Sequence, residues 1–241
     1  MTSPATFVLV HGAWCGGWCY ARVADILRAK GHRVFAPTLT GQCERSHLFT
    51  GALNLSTHID DVLGVLRFED LSDVVLAGHS YGGVVVTGAA DRAPERISSL
   101  VYLDAFIPED GQSLFDVNIP ANVQRYIANA GDLGGLAIPP PPATYFNVNA
   151  ADAARVDALA TPLPIGCFSE RLKLTGRHRD IRKRTYVYAT ERPAVSAFKP
   201  FYERLKDDPA WTAHALACGH HMMLDMPEKT AEILEAAIRR P

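Results

Sequence analysis

The sequence lacks the features that mark nucleic-acid binding and membrane insertion. Its 24 lysines and arginines are offset by 26 acidic residues, for a formal net charge of -2, so no basic footprint for a nucleic acid is present. No stretch reaches the roughly 18 apolar residues of a membrane span, and residues 1–10 lack a basic segment followed by a long apolar run. These absences predict a cytoplasmic protein whose partners are small, neutral or mildly polar molecules.

Paired cysteines and metal-ligand spacings are also missing. The chain has an odd number of cysteines and no Cys-x-x-Cys pair, which indicates neither a disulfide framework nor a zinc site. Carboxylates and histidines do not recur at ligand spacing near the nine histidines. We therefore predict reduced, packed thiols, no metal and no cofactor. The cysteines are Cys15, Cys19, Cys43, Cys167 and Cys218.

What the sequence does contain is an alternation of short apolar runs with segments of helical spacing. This alternation predicts an α/β fold with a mostly parallel sheet covered by helices on both sides. Ser56 is the predicted N-cap of one helix. Predicted strands are 6–10, 32–36, 73–77, 97–103, 185–189 and 211–216. Predicted helices are 18–30, 57–66, 84–92, 194–205 and 227–239.

The alternation is interrupted between residues 106 and 184. That stretch has no clear strand, a proline run at 139–142 and short helical patterns at 123–130 and 150–159. Structureless loops of that length are uncommon in compact domains, so we predict an inserted helical lid over 106–184. The core would then comprise 1–105 and 185–241. For the basic part, 171–184, we expect a solvated face, with a patch for an anionic substrate as the alternative.

One glycine-rich stretch combines a strand, a turn and a helix. An apolar run from Asp73 leads into Gly78-His79-Ser80-Tyr81-Gly82, and a helical pattern follows. Gly-x-Ser-x-Gly in this context is the signature of a nucleophile elbow. A Cβ at Gly78 or Gly82 would collide with the neighbouring strand or helix. Ser80 is the predicted nucleophile; the alternative is a glycine-rich turn that happens to contain a serine.

A serine nucleophile requires a base to remove its proton and an acid to orient that base. His220 is the predicted base, because it directly follows the last predicted strand and a loop there reaches the elbow. His221 is its rival by adjacency. The acid is either Asp104 or Glu191. Each of them follows a predicted strand in the interval between the serine and the histidine.

Two more histidines and an oxyanion hole complete the expected site. His11 and His79 lie inside glycine-bearing turns and are predicted to shape those turns by hydrogen bonding. The backbone N–H groups of Ala13 and Tyr81 are the predicted oxyanion donors. The pocket is expected to include Trp14, Tyr81 and Phe106, which would suit a small, apolar or aromatic substrate.

These residues together resemble the α/β-hydrolases along the whole chain. Within that superfamily the chain is similar to a small cofactor-free group of plant methyl esterases, hydroxynitrile lyases and bacterial ester, carbamate or amide hydrolases. The matching pieces are 9–14, 78–83 and Gly219-His220, with Pro227 seven residues beyond the histidine. In the family that spacing marks the catalytic histidine, which selects His220 over His221.

The resemblance also bears on the acid. In the plant esterases the acid lies in a Thr-Glu-Asp string after the lid, whereas this chain has Thr190-Glu191-Arg192. Some relatives, haloalkane dehalogenases among them, place the acid after the strand that follows the nucleophile helix. Asp104 lies there, 24 residues beyond Ser80 (104 − 80). The missing aspartate therefore favours Asp104 over Glu191.

The resemblance implies a serine hydrolase that cleaves a small ester, carbamate or amide through an acyl-enzyme. Family lyases place threonine in the first loop and lysine after the catalytic histidine, where this chain has Gly12 and His221. A hydroxynitrile lyase and a ligand-binding receptor on the same fold are the alternatives. A homodimer is left open.

Overall fold

The computed structural model describes residues 4–191 and 196–239, and six of its strands form one sheet. The sheet order is β2-β1-β3-β4-β7-β8, and every neighbouring pair is parallel. These strands are β1 (Thr6–Val10), β2 (Arg33–Phe35), β3 (Val74–His79), β4 (Ile97–Leu103), β7 (Lys183–Ala189) and β8 (Thr212–Leu216). A separate antiparallel pair consists of β5 (Ala137–Ile138) and β6 (Leu163–Pro164).

Helices connect these strands. The α-helices are α1 (Ala21–Ala29), α2 (Leu55–Phe68), α3 (Gly82–Arg92), α4 (Leu114–Val117), α5 (Pro120–Ala130), α6 (Ala150–Leu159), α7 (Gly166–Ser169), α8 (Lys199–Leu205), α9 (Met222–Asp225) and α10 (Pro227–Ala236). Short 3₁₀ helices cover Gly17–Tyr20, Cys43–Leu48, Pro94–Arg96, Gly131–Leu133, Ala143–Phe146 and Arg177–Asp180. None of the described helices is long and apolar enough to cross a bilayer.

The central strands are buried on both faces, which is why they read as continuous apolar runs. All six residues of β3 and all seven of β4 are buried, as expected for a parallel sheet covered by helices. Parallel order also brings the carboxyl ends of β1, β3 and β4 to one edge. Residues that follow these strands therefore converge there, where open α/β sheets bind ligands.

The predicted α/β architecture is confirmed, with differences at the ends of elements. β7 begins at Lys183 rather than at 185. The helix predicted over 194–205 is described only as α8, and 194–195 lie outside the described residues. The N-cap prediction was wrong: α2 begins at Leu55, and its cap is Asn54, whose side chain accepts from the Thr57 N–H at 3.0 Å. The Ser56 hydroxyl instead donates to Glu170 at 2.6 Å.

The long segment between β4 and β7 packs against the loops at the carboxyl edge of the sheet; we call residues 106–182 the insertion. It contains α4 to α7 and the β5–β6 pair, whose two-residue strands are too short to leave a sequence pattern. Two hydrogen bonds join it to the loop after β1. The Trp14 indole N–H donates to the Ile138 carbonyl at 2.9 Å, and the Thr161 N–H donates to the Trp14 carbonyl at 3.2 Å.

Candidate active site

Ser80 lies in a strained turn between β3 and α3. Its φ is +54°, a left-handed conformation that non-glycine residues rarely adopt. The turn is tight because a Cβ on Gly78 would lie 2.4 Å from the Gly82 carbonyl oxygen, and one on Gly82 would lie 2.6 Å from the Val10 carbonyl oxygen. The predicted requirement for glycine at both positions is confirmed. The strain holds Ser80 at the carboxyl edge of the sheet.

Asp104 and His220 meet at the same edge. Asp104 directly follows β4, also with a positive φ, +42°, and its side chain is fully buried. Nδ1 of His220 donates to Oδ2 of Asp104 at 2.6 Å, and the Ala189 N–H donates to Oδ1 at 3.2 Å. This hydrogen bond fixes the imidazole orientation and places its proton on Nδ1, which leaves Nε2 as the basic nitrogen when the ring is neutral.

Glu191, the alternative acid, is exposed to solvent. Its backbone N–H donates to the Cys218 carbonyl at 3.1 Å, and its own carbonyl accepts from the Asn147 amide at 2.8 Å. Glu191 therefore supports the loop before His220 through its backbone. The structure places Asp104, and not Glu191, against the imidazole.

Two aromatic rings cover the faces of the His220 imidazole. Phe146 stacks on it with ring centroids 5.5 Å apart, and Phe198 with centroids 5.0 Å apart. The backbone of His220 is held as well, because its N–H donates to the Phe146 carbonyl at 2.9 Å. Since Phe146 belongs to the insertion, the insertion helps to position the histidine.

The other histidines have separate partners. Nε2 of His79 donates to the His220 carbonyl at 2.8 Å, which links the elbow to the histidine loop. Nε2 of His11 accepts from the Leu39 N–H at 2.9 Å, and burial lowers the pKa of His11 to about 3, so it is neutral near pH 7. His221 lies beside Cys15, with Nε2 3.4 Å from Sγ.

The five cysteines are buried as free thiols. A hydrogen bond from Cys19, assisted by His221, lowers the pKa of the Cys15 thiol, against the opposing effect of burial. Within the described residues, no group of three or more histidine, cysteine, aspartate or glutamate side chains is placed to hold a metal ion.

A cavity of about 30 Å³ connects Ser80 and His220 with the predicted oxyanion and pocket residues. Its lining includes Ala13, Trp14, Ser80, Tyr81, Phe106 and His220. Most of the remaining wall is aromatic, and the exceptions are the apolar Leu114 and Ala197 and the polar Asn118 and Asn122. An aromatic wall with a few polar groups is typical of a small-molecule site.

Two residues that line this cavity have backbone N–H groups without a protein acceptor among the described residues. Among the described residues, neither the N–H of Ala13 nor that of Tyr81 makes a hydrogen bond. Tyr81 is fully buried and Ala13 is 8% exposed, and unpaired N–H groups at such positions are rare. Gly12 allows the loop to approach the elbow, since a Cβ there would lie 2.8 Å from Nδ1 of His79. Both residues line the cavity beside Ser80, so their N–H groups are the candidate donors to a substrate oxygen.

Sequence reasoning missed the part of the cavity wall that the insertion supplies. Asn118, Asn122, Tyr126, Tyr145 and Phe168 all line the cavity. They come from short helices and loops, where neither periodicity nor a motif distinguishes a cavity-lining side chain from a surface one. The Tyr81 hydroxyl was missed too: it donates to Nδ1 of the buried His58 at 2.9 Å.

Three arginines of the basic stretch 171–184 are paired with carboxylates. Arg171 lies 3.0 Å from Asp116, Arg177 lies 3.3 Å from Glu95, and Arg179 lies 2.9 Å from Glu109. Among the described residues, none of these arginines lines the cavity around Ser80. The arrangement favours the solvated face over an anionic-substrate patch.

Comparison with known proteins identifies the family. Residues 7–233 match the alpha/beta hydrolase family. A carbendazim hydrolyzing esterase from Nocardioides sp. (strain SG-4G) is 42% identical over 240 residues, covering 96% of this chain and 99% of that one. Putative methylesterase 14 of Arabidopsis thaliana is 30% identical over 209 residues, covering 79% of this chain and 59% of that one.

Solved structures agree. An extracellular alpha/beta-hydrolase from a Paenibacillus species superposes with a TM-score of 0.85 at 25% identity, covering 98% of this chain and 100% of that one. The chain therefore belongs to the alpha/beta hydrolase family. Within that family its relatives are named esterases and hydrolases, and the chain is an enzyme of this class.

Proposed function

We propose that this enzyme is a serine hydrolase that cleaves small esters, carbamates or amides through an acyl-enzyme. Ser80 is the nucleophile, His220 the general base and acid, and Asp104 the residue that orients His220. The observation that carries the proposal is the 2.6 Å hydrogen bond between His220 Nδ1 and Asp104 Oδ2. The His220 side of this hydrogen bond lines the cavity, and so does Ser80, which is held there by its strained turn.

The chemistry follows from the orientation of the imidazole. With its proton held on Nδ1 by Asp104, His220 accepts the Ser80 hydroxyl proton at Nε2 as Oγ attacks the substrate carbonyl. The same proton then passes to the leaving alcohol or amine as its bond to carbon breaks. A water molecule, deprotonated by His220, releases the acid and regenerates Ser80.

The two unpaired N–H groups account for the stabilisation of the intermediate. As Oγ adds to the carbonyl, its oxygen becomes negative and is held by the N–H groups of Ala13 and Tyr81. Each such donor typically contributes about 3 kcal/mol to lowering the barrier. Because both donors are already fixed and desolvated, they need little reorganisation during the reaction.

The aromatic wall supports a small, apolar or aromatic substrate. Trp14 contacts Phe146 and Phe168 with ring centroids 5.9 Å and 5.7 Å apart, so one aromatic cluster joins the oxyanion loop to the insertion. We propose that the insertion acts as the lid, excluding bulk water from the cavity and strengthening its electrostatic interactions. The named activity of the carbendazim hydrolyzing relative makes carbendazim a test substrate.

The test combines steady-state kinetics with intact-protein mass spectrometry. Purified protein should hydrolyse at least one of phenyl acetate, methyl benzoate and carbendazim, with an acyl adduct on Ser80 after rapid acid quenching. Ser80→Ala should abolish turnover and adduct without changing the melting temperature. Ser46→Ala, at an exposed serine, is the matched control and should retain activity. Retained turnover in Ser80→Ala, or cyanide release from mandelonitrile without ester hydrolysis, would refute the proposal.

A further inference from the structure

The cavity has a polar end that the proposed chemistry does not use. Asn118, Asn122 and Tyr145 lie in its wall, together with the aromatic side chains. All three belong to the insertion, and none of them contacts Ser80, Asp104 or His220 through a described hydrogen bond. Polar groups at such a place in a mostly apolar pocket typically fix ligand orientation and specificity.

The hydrogen bonds of Asn118 determine which of its atoms is available to a ligand. Its Oδ1 accepts from the Ile119 backbone N–H at 2.8 Å and from the Asn122 amide at 3.2 Å. A backbone N–H can only donate, so the atom facing it must be the oxygen, and this settles the orientation of the amide. The NH₂ group of Asn118 is therefore left over, and within the described residues it has no acceptor.

Arg125, Asn122 and Asn118 form a chain in which each member donates a hydrogen bond to the next, ending at Asn118. Oδ1 of Asn122 accepts from Nη2 of Arg125 at 3.2 Å and from the Tyr145 hydroxyl at 3.1 Å. The Arg125 guanidinium also lies over the Tyr145 ring, 4.3 Å from its centroid. A chain leads from the cation through Asn122 to Asn118, and each link polarises the next. The NH₂ group at its end is thus a strengthened donor.

We propose that Asn118 is a specificity-determining residue that donates a hydrogen bond to an acceptor on the aromatic group of the substrate. The preferred substrates are then esters or carbamates whose ring carries an acceptor, such as a pyridine-type nitrogen, rather than all-carbon rings. This inference rests on the proposed function for its reaction, but its binding part does not. The aromatic wall of the cavity packs against the substrate ring, and the NH₂ group of Asn118 donates a hydrogen bond to the acceptor at the edge of that ring.

Binding is measured first, by isothermal titration calorimetry on the Ser80→Ala protein, so that no turnover intervenes. The ligands are methyl benzoate, methyl nicotinate and methyl isonicotinate, which differ only in the presence and place of one ring nitrogen. At least one pyridine ester should bind more tightly than the benzoate. Adding Asn118→Leu should reduce that preference by about five- to tenfold, as expected for one hydrogen bond to a neutral acceptor.

A second variant distinguishes ligand recognition from a structural role. Asn118→Asp keeps the acceptor for Ile119 and Asn122 but replaces the donor by an oxygen. It should weaken the pyridine esters at least as much as Asn118→Leu does, and should strengthen binding of methyl 4-hydroxybenzoate or methyl 3-hydroxybenzoate, whose rings carry a donor. Asn129→Asp, at an exposed position on α5, is the matched control and should change neither.

The outcomes separate the two proposals. Equal loss for benzoate and pyridine esters in Asn118→Leu, or an unchanged preference in Asn118→Asp, would overturn the role of Asn118. In the Ser80-containing enzyme, the same selectivity change should appear in kcat/KM. Ester binding with the expected selectivity but no hydrolysis would leave Asn118 supported and refute the serine hydrolase.

Discussion

Replacing Asp104 by asparagine tests the geometry of the proposed triad most directly. The substitution keeps the size of a fully buried side chain and removes its charge. An asparagine can turn its NH₂ group toward Nδ1 of His220, and Nδ1 must then accept. The imidazole proton is forced onto Nε2, the nitrogen that should receive the proton of Ser80. The base is present but in the wrong tautomer.

The expected loss is large and falls on kcat. In a comparable buried triad this change lowers kcat about 10⁴-fold, which corresponds to about 5.5 kcal/mol in the barrier. We expect a loss of similar size here, because the hydrogen bond from His220 to Asp104 is 2.6 Å long and Asp104 is completely buried. Asp104 does not line the substrate cavity, so KM should change little.

The assay is steady-state hydrolysis of phenyl acetate between pH 6 and 9, with melting temperatures to show that each variant folds. Glu191→Gln is the matched control, because it removes a carboxylate that is exposed to solvent, and it should keep kcat within about twofold of wild type. The reasoning is refuted if Asp104→Asn retains more than a tenth of the activity, or if only Glu191→Gln is crippled.

Three further predictions concern the support of the site. Gly82→Ala should lower the free energy of unfolding in urea by about 2 kcal/mol or more, because its Cβ would lie 2.6 Å from a β1 carbonyl oxygen. Gly64→Ala, with no neighbour within 4 Å, should raise it by about 0.5–1 kcal/mol; equal effects would contradict the packing argument. Tyr81→Phe should lower it by about 1–3 kcal/mol, because the buried His58 loses its donor, and a neutral effect would argue against that bond. Burial lowers the pKa of His11 from 6.5 to about 3, so the unfolded chain binds more protons between these values. Urea titrations should therefore show stability complete above pH 6.5 and falling by up to about 1.4 kcal/mol per unit below it; a flat profile would refute a buried neutral His11.

The sequence predicts well those parts of the site that follow directly from local structure. Ser80 and Asp104 each come immediately after a strand of a parallel sheet, and His220 lies shortly after another. The carboxyl ends of such strands meet at one edge whatever the connecting segments do. The elbow is more local still, since its strain and its two glycines lie within five residues, 78–82.

Other features depend on contacts that no short stretch encodes. The choice between Asp104 and Glu191 is a matter of which carboxylate the fold buries, and both follow a strand. Asn54, not Ser56, caps α2, because the helix begins at Leu55, two residues before the predicted start at 57. Asn118 lines the cavity through the packing of the insertion as a whole. These outcomes are set by tertiary structure, which propensity and motif do not record.

The tethers of the insertion restrict how a substrate can enter. The bonds from Trp14 to Ile138 and from His220 to Phe146 join the insertion to both halves of the site. If the insertion swung away as a rigid body, it would break these bonds and displace both the proposed oxyanion loop and the proposed base.

The part around α5 is attached differently. The described side-chain hydrogen bonds of Asp116, Asn118, Asn122 and Arg125 are all made within the insertion. Movement of this part would open the cavity without breaking the hydrogen bonds of Trp14 to Ile138 and of His220 to Phe146, although it would separate the Tyr126 ring from that of Trp14, whose centroids lie 5.6 Å apart. Because Asn118 and Asn122 lie on it, closing over a substrate would also bring the polar end of the cavity onto the substrate's ring. Entry and selection would then depend on the same small part of the chain, while the residues proposed to perform the reaction stay fixed by the sheet.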